Sequence, residues 1–488
     1  MMKVDVAVLG SGFGGSLCAL IAARIGLDAV LVDRATHPRF AIGESSTPSA
    51  DVILRDLADR YDLPRLRPFT TWGSWQCAYP HVLGGRKRGF SYFRHVRGAA
   101  FEPDPEHGNA LLVAASETDE RSDTQWYRAD VDAFFAAEVR RASIPFLEGI
   151  EVYPVPAGGR WRLEGTDIEA AFLIDATGSG GALAHRMEGT DAAATRSPSS
   201  RTRTRAVYGH FTGVPRWRDV VAARGARIED YPFDPDWSAL HHVLDGGWMW
   251  MLRFENDVVS AGLVLDVRRH AHGASVSPES EWRQHLACYP TLDTLFAGAR
   301  PVRPPGGLIA TPRLQRRVGK AAGANWAMLP HTAGFVDPLH STGIAHTMSG
   351  IERLMEILEE RWGRNDFSHA LDAYQRDVLR EIDLIDRLVY PCYQSTDSFR
   401  HWTASTMLYF AAATSYERLR AAGNVRAFLL ADDAELSRIA DEASIRLHAQ
   451  VDAGVYESWL EEALQPFNHV GLFRPRIKNM YTYTAASK

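Results

Sequence analysis

The segment Gly10-Ser11-Gly12-Phe13-Gly14-Gly15 constrains this chain more than any other. It follows a short apolar run, Val4 to Gly10, and opens a stretch rich in Ala, Leu and Ile that ends at Gly26. A second apolar run, Ala29 to Asp33, closes the unit. This order predicts a β-α-β unit of about 30 residues with a G-x-G-x-x-G turn between its first strand and its helix. The glycines let the backbone approach a pyrophosphate, and the helix N-terminus offers free N–H groups and partial positive charge. Asp33 ends the second strand, where an acid can bond a ribose hydroxyl. A glycine-rich turn alone is common. The agreement of strand, turn, helix, strand and acid assigns a bound dinucleotide to Gly10, Gly12, Gly15 and Asp33.

Two distant stretches decide which dinucleotide. Ile174-Asp175-Ala176-Thr177-Gly178 ends another apolar run, and Ala333-Gly334-Phe335-Val336-Asp337-Pro338 follows the strand expected at Trp326 to Leu329. A nicotinamide dehydrogenase needs neither. A flavin laid across one sheet needs turns over its ribityl chain and ring, so FAD is favoured, with Thr177 and Gly178 among its contacts. A second G-x-G-x-x-G is not evident, so a separate NADPH domain is not expected. Helices are expected over Thr47 to Tyr61 and Asp130 to Arg141, a strand over Gly89 to His95, and mostly helix from Ile351 to about Leu464.

Composition narrows the class. The 488 residues carry 54 basic and 60 acidic side chains, a net charge of −6, so no basic field points to nucleic acid. Cys18, Cys77, Cys288 and Cys392 form no CxxC pair, which argues against zinc and against a disulfide scaffold; no metal is expected. No leader-like start or membrane-length apolar run is visible, so a soluble cytoplasmic protein is expected. Lysine is scarce: only Lys3, Lys87, Lys320, Lys478 and Lys488 occur.

In combination, four stretches resemble the flavin-dependent halogenase-like family, itself similar to p-hydroxybenzoate-hydroxylase-type monooxygenases. They are the fingerprint, Phe40-Ala41-Ile42-Gly43-Glu44-Ser45, Trp126-Tyr127-Arg128-Ala129-Asp130, and Gly334 to Pro338 with Ser341-Thr342-Gly343. Around Lys87 to Phe93 the chain looks most like the branch acting on carrier-bound pyrroles. The resemblance implies that Gly43, Glu44 and Ser45 lie beside the flavin ring and Arg128 beside the diphosphate or ribityl chain. It implies that Asp337 and Pro338 hold the ribityl chain and ring, with Ser341, Thr342 and Gly343 against the reactive edge. Alone, Arg128 reads as an exposed salt bridge at a helix start.

Three departures bear on the reaction. Halogenases of this family route hypohalous acid to a lysine. The span Pro68 to Val82 offers Phe69, Trp72, Trp75, Gln76 and Tyr79 but no lysine. Lys87 is the nearby candidate, and between Arg86 and Arg88 it reads as a solvated basic turn, whereas a halogenating amine needs a buried position. The Trp-x-Trp-x-Ile-Pro element becomes Trp248-Met249-Trp250-Met251-Leu252-Arg253, in which Trp248 and Trp250 read equally as core residues on one strand face. The glutamate that tryptophan-type halogenases carry before Ser-Thr-Gly is His340 here, and Pro330-His331-Thr332 replaces the usual Gly-Asp. His340, and less so His331, are candidate general bases near neutral pH; each reads otherwise as a neutral, hydrogen-bonded histidine, and His331 as a contact of FAD.

The expectation is an α/β chain: a Rossmann-like FAD domain (1–68, 100–185 and 305–365), an interleaved, mostly antiparallel substrate sheet (69–99 and 186–304) and a helical C-terminal part (366–488). The leading function is an FAD-dependent monooxygenase hydroxylating an electron-rich aromatic ring through a flavin C4a-hydroperoxide. A tryptophan side chain in a protein, as in quinone-cofactor biogenesis, is one such substrate. The alternatives are a halogenase using Lys87 on a carrier-bound pyrrole or other aromatic, and a flavin-binding docking protein without turnover. Trp72, Trp75, Trp248 and Trp250 are expected to line the substrate pocket. O2 is the expected co-substrate, with NAD(P)H acting directly or through a flavin reductase. The Arg-rich stretch Arg196 to Arg205 reads as a solvated loop or as a docking face for an acidic partner.

Overall fold

The computed structural model describes residues 1–183, 200–270, 276–424, 426–483 and 485. Strand Met2–Leu9 leads through Gly10 into helix Phe13–Arg24 and back to strand Ala29–Asp33. The two strands are parallel and adjacent, with Val6 opposite Ala29 and Leu9 opposite Val32. Strand Ile168–Asp175 pairs parallel on the other side of Met2–Leu9, and Trp326–Met328 continues the sheet. Helices on both faces leave the inner strands almost wholly apolar, as buried parallel strands require. This is the expected Rossmann-like half.

A second, mostly antiparallel sheet runs in the order Arg300–Arg303, Thr204–Thr212, Val259–Asp266, Gly247–Arg253, Ala239–Leu244, Gly89–Arg94, Ala110–Ala114 and Met480–Tyr481. Ala110–Ala114 lies in the stretch 100–185 assigned from sequence to the FAD domain. It joins the second sheet because its apolar run pairs residue for residue with Gly89 to Phe93. The chain's C-terminal stretch supplies the edge strand beside it.

Both faces of this sheet are buried, and period-two alternation sorts the side chains. Phe90, Tyr92, Trp248 and Trp250 enter the large core shared with the first sheet and the long helices Thr342–Arg361, Phe367–Gln394 and Phe399–Ala421. Phe93, Met249 and Met251 enter a second core beneath helices Pro278–Leu286 and Pro290–Phe296. Helix Phe399–Ala421 is buried along nearly its whole length, sandwiched between the sheet and the neighbouring helices. No described helix is long and apolar enough to cross a membrane.

Trp250 lies flat over Gly262 of the next strand, and its Nε1–H donates to Ser260 Oγ at 3.1 Å. A Cβ at Gly262 would stand 2.1 Å from that indole. Gly262→Ala is expected to destabilise the chain by about 1–3 kcal/mol, the usual range for overpacking. Trp250→Leu is expected to recover part of that loss in the double variant. Urea unfolding of the two single variants and the double variant checks both.

Candidate functional site

The fingerprint forms an open cradle. Gly10 turns the chain with φ +95°, and a Cβ on it would meet the Ala176 carbonyl at 2.6 Å. A Cβ on Gly15 would collide with the Gly10 carbonyl at 1.8 Å. Gly12 caps the helix without a side chain; Asp132 Oδ1 accepts from the Phe13 N–H at 3.1 Å, and the next N–H groups of the first turn have no intrahelical partner. Asp33 is held at the strand end by the Ser11 N–H and Oγ–H, both at 2.7 Å, and by the Ala35 N–H and Arg39. Those contacts hold its carboxyl below the usual carboxylate range against the opposing effect of burial.

Arg128 closes one wall. It grips Asp132 through Nε and Nη2 and the carbonyls of Ile42 and Gly43 through Nη1. It therefore ties the segment before Glu44 to the mouth of the cradle, and is no exposed salt bridge. Across the cradle, Thr177 and Gly178 turn beneath Thr332, whose Oγ1 accepts from the Gly178 N–H at 3.0 Å. Ser341, in the left-handed region at φ 54°, starts helix Thr342–Arg361 with no side-chain cap. His331 lies between these turns: its ring approaches the Cβ positions of Gly178 and Gly343 at 3.6 and 4.0 Å.

The segment Glu44 to Ser46 joins the cradle to the interior. Ser45 bridges Gln125, and the Ser46 N–H donates to the Thr124 carbonyl at 2.9 Å. Strand Gly84–Lys87 pairs antiparallel with Asp123–Trp126. Lys87 is wholly buried; its Nζ donates to the Ser46 carbonyl at 2.6 Å and stands 3.9 Å from the centre of the Phe90 ring. Asp123, also buried, lies directly opposite it in the register, so both side chains leave the same face. The solvated turn expected for Lys87 is therefore corrected. Strand alternation turns Arg86 and Arg88 outward onto Asp119 and Lys87 inward. The signal was the period of two running back from Gly89 through Gly85.

Beyond Phe90 opens a region of buried rings and polar atoms. His241 stacks on Tyr92 at 4.5 Å and approaches Trp248 at 5.1 Å. Burial, with the Lys87 charge among the further causes, pushes its imidazole down to about 4. His340 stacks on Tyr409 at 4.5 Å with rings nearly parallel, and its Nε2 lies 3.9 Å from Cys392 Sγ. Burial, assisted by His241, pushes His340 down to about 3. His331 is likewise pushed to about 3, by burial and then the Arg316 charge. Burial thus favours the neutral imidazole at both positions, the form whose free ring nitrogen accepts a hydrogen bond. His340 Nδ1 and Tyr92 Oη are buried with no protein partner, and both side chains lie against Cys392 and Tyr409. Two such orphans in one place fit the polar groups of a bound aromatic ligand.

Other expected residues lie elsewhere or face elsewhere. Glu44 is buried with Oε1 2.7 Å from His210 Nε2, so its carboxylate points toward the second sheet. The Asp337 carboxylate takes hydrogen bonds from Thr204 and Tyr393, which turns it away from the cradle. Trp75 packs on Phe69 and donates to the Val82 carbonyl, while Trp72 stacks on Arg86 and donates to Glu255. Trp248 reaches this region; Trp250 shares its face and packs on Tyr208. Residues 196–199 of the Arg-rich stretch lie outside the described residues; within them, Arg201 pairs with Asp441, and Arg205 is buried against Glu281 and unavailable for docking. His241, Tyr409 and Cys392 escaped sequence reasoning because nothing local marks them.

Comparison with known proteins adds an independent line. A family model described as tryptophan halogenase matches residues 220–431. Monodechloroaminopyrrolnitrin halogenase PrnC of Pseudomonas fluorescens is 28% identical over 92% of this chain and 84% of its own length. Tetracycline 7-halogenase of Kitasatospora aureofaciens is 29% identical over 83% of this chain and 73% of its own. The crystal structure of halogenase PltM in complex with phloroglucinol and FAD shares the fold, with a TM-score of 0.82 at 23% identity over 95% of this chain and 96% of that one.

The buried neutral imidazoles set an acid limit on stability. Burial pushes His95 and His340 down to about 3, below the ordinary imidazole value of about 6.5. The unfolded chain thus binds more protons as pH falls below 6.5, and the stabilisation present above that pH drains away toward pH 3. For one such group the loss between pH 6.5 and 5 is about 2 kcal/mol. His340→Gln is expected to flatten this slope, read from urea unfolding at pH 7 and pH 5.

Proposed function

From these resemblances we propose that the chain is a member of the flavin-dependent halogenase-like family and an FAD-dependent halogenase of an electron-rich aromatic substrate. The observation that carries this is Lys87: fully buried, beside the Phe90 ring, and bonded to the segment that leaves the cofactor cradle. It supports the halogenase alternative over the hydroxylation first favoured, whose main argument was the want of a buried lysine. The relatives named above are halogenases, and nothing in them supports a protein-borne tryptophan as substrate.

FAD fits the cradle. Gly10 and Gly15 let the turn close tightly where a Cβ would collide with the backbone, the first turn of the helix beyond Phe13 offers N–H groups without intrahelical partners, and Asp33 stands at the ribose position. Gly10, Gly12, Gly15, Asp33, Thr177 and Gly178 would hold the adenosine and diphosphate. Gly43, Ser45, Arg128 and the turn Pro338 to Gly343 would hold the flavin half. When bound, reduced by NAD(P)H through a separate flavin reductase, and given O2, the flavin supplies the oxidising equivalents that convert halide to hypohalous acid.

The chain's own residues do the rest. Lys87 binds the oxidised halogen with its N–H donors and presents it at the end of the segment that leads in from the cradle. Phe90, Trp248 and Tyr409 exclude water and flank the aromatic ring of the substrate. His340, neutral, accepts a hydrogen bond from a substrate N–H or O–H at Nδ1 and so fixes which carbon faces Lys87.

The test uses the whole protein with FAD, a flavin reductase, NADH and chloride or bromide on a panel of phenols, pyrroles and indoles, read by product mass. A halogen in place of hydrogen is expected; oxygen insertion alone would restore the hydroxylase reading. Lys87→Met, which replaces the buried charge with an apolar stem of similar length, is expected to lower halogenation by ~100-fold or more while FAD binding persists. Full halogenation by that variant would remove Lys87 from the reaction.

A further inference from the structure

Trp248, Tyr393 and Asp337 form a buried line between the two halves of the site. The Trp248 Nε1–H donates to Tyr393 Oη at 2.7 Å, and Tyr393 Oη–H donates to Asp337 Oδ2 at 2.9 Å. Trp248 belongs to the wall shared with His241. Asp337 opens the turn that runs through His340 to the start of helix Thr342–Arg361, and its Oδ1 accepts from the Leu339 N–H at 3.1 Å. Tyr393 comes from helix Phe367–Gln394, near its C-terminal end. All three side chains are buried.

We propose that Tyr393 is a positioning residue that couples the substrate wall to the turn carrying the flavin, by holding the Trp248 indole and the Asp337 carboxylate through one hydroxyl. The inference rests on the flavin-cradle reading above and goes beyond it, because none of the three side chains has to touch the cofactor. Tyr393 can donate one hydrogen bond and accept another, so its two partners orient each other. Among the described residues no other hydrogen bond bridges them: Thr204 Oγ1 also donates to Asp337 Oδ2, at 2.9 Å, but Gln315 Nε2 supports it from the side of Val336.

The carboxylate at the end of this line is poised to report its own hydrogen bonding. Burial raises Asp337 to about 7, while Thr204, Tyr393 and the Leu339 N–H pull it down and the Asp386 charge pushes it up. The groups facing it are Thr204 on one strand, Gln315, and Asp386, Cys392 and Tyr393 on the helix; Asp266 faces Tyr393. The ionised form is the better acceptor for Leu339, so it holds the turn best.

The experiment measures FAD affinity by flavin fluorescence from pH 5.5 to 9 in the wild type, Tyr393→Phe and Trp248→Phe. Affinity is expected to fall as pH drops through a midpoint near 7 in the wild type. In Tyr393→Phe the carboxylate loses a donor, so the midpoint is expected to rise by about one pH unit. Affinity near pH 7 then weakens several-fold, while affinity at pH 9 matches the wild type. Trp248→Phe is expected to move the midpoint the same way by less. A uniform loss at every pH, or an unmoved midpoint, would reduce Tyr393 to packing and overturn the proposal. A shift in Tyr393→Phe with none in Trp248→Phe would overturn the link to the substrate wall. Wild-type protein that binds no FAD at any pH would instead bring down the flavin reading, and this link with it. Wild-type protein that binds FAD with this profile but does not halogenate would leave the link standing and refute only the reaction proposed.

Discussion

A lysine in the interior is the constraint around which the site is organised. An ammonium taken out of water needs compensation on every side. Here the compensation is built into the backbone: the Ser46 carbonyl accepts from Nζ, the Phe90 ring offers its face, and strand register sets the buried Asp123 opposite. Each of these comes from a different segment. The position of the amine is therefore as well defined as the pairing of Gly84–Lys87 with Asp123–Trp126 and of Ser45 with Gln125.

The same small set of strands explains why the glycine cradle and the buried cluster around Lys87 are neighbours. The residues that leave the cradle at Gly43 are gripped by Arg128, and three residues later the chain meets Lys87. On the far side, the turn from Asp337 to Gly343 is held by Thr204 of the second sheet and Tyr393 of the long helix. Both crossing points are tied to the second sheet, through Glu44 to His210 and through Asp337 to Thr204, so the Trp248 strand and the glycine cradle share supports. The neutral state of His241 and His340 follows from this burial and keeps further positive charge away from Lys87.

Local signals were enough wherever the chemistry lies on one strand and its following turn. Gly10, Gly12, Gly15 and Asp33 occupy the places their spacing implies, because a β-α-β unit allows few geometries. Signals weakened where one residue's environment depends on distant chain. Lys87 reads as solvated beside two arginines until pairing with Asp123–Trp126 puts the alternate residues on opposite faces. Trp72 and Trp75 are near it in sequence, yet helix Trp72–Ala78 turns them toward Arg86 and Phe69. Glu44 and Asp337 were in the right stretches, but partners on other elements, His210 and Tyr393, decide where their carboxylates point.

What the sequence determined by itself was the existence of the dinucleotide unit and the chemical types near it, because glycine spacing, an acid at a strand end and apolar periodicity act over a few residues. What only the tertiary structure decided was which of those groups meet. The buried cluster takes Lys87 from one strand, His241 from another, His340 from a turn and Tyr409 from a helix more than 300 residues beyond the lysine. Burial by these distant segments, and not the identity of any one residue, turns a basic surface motif into a desolvated amine and two histidines into neutral acceptors.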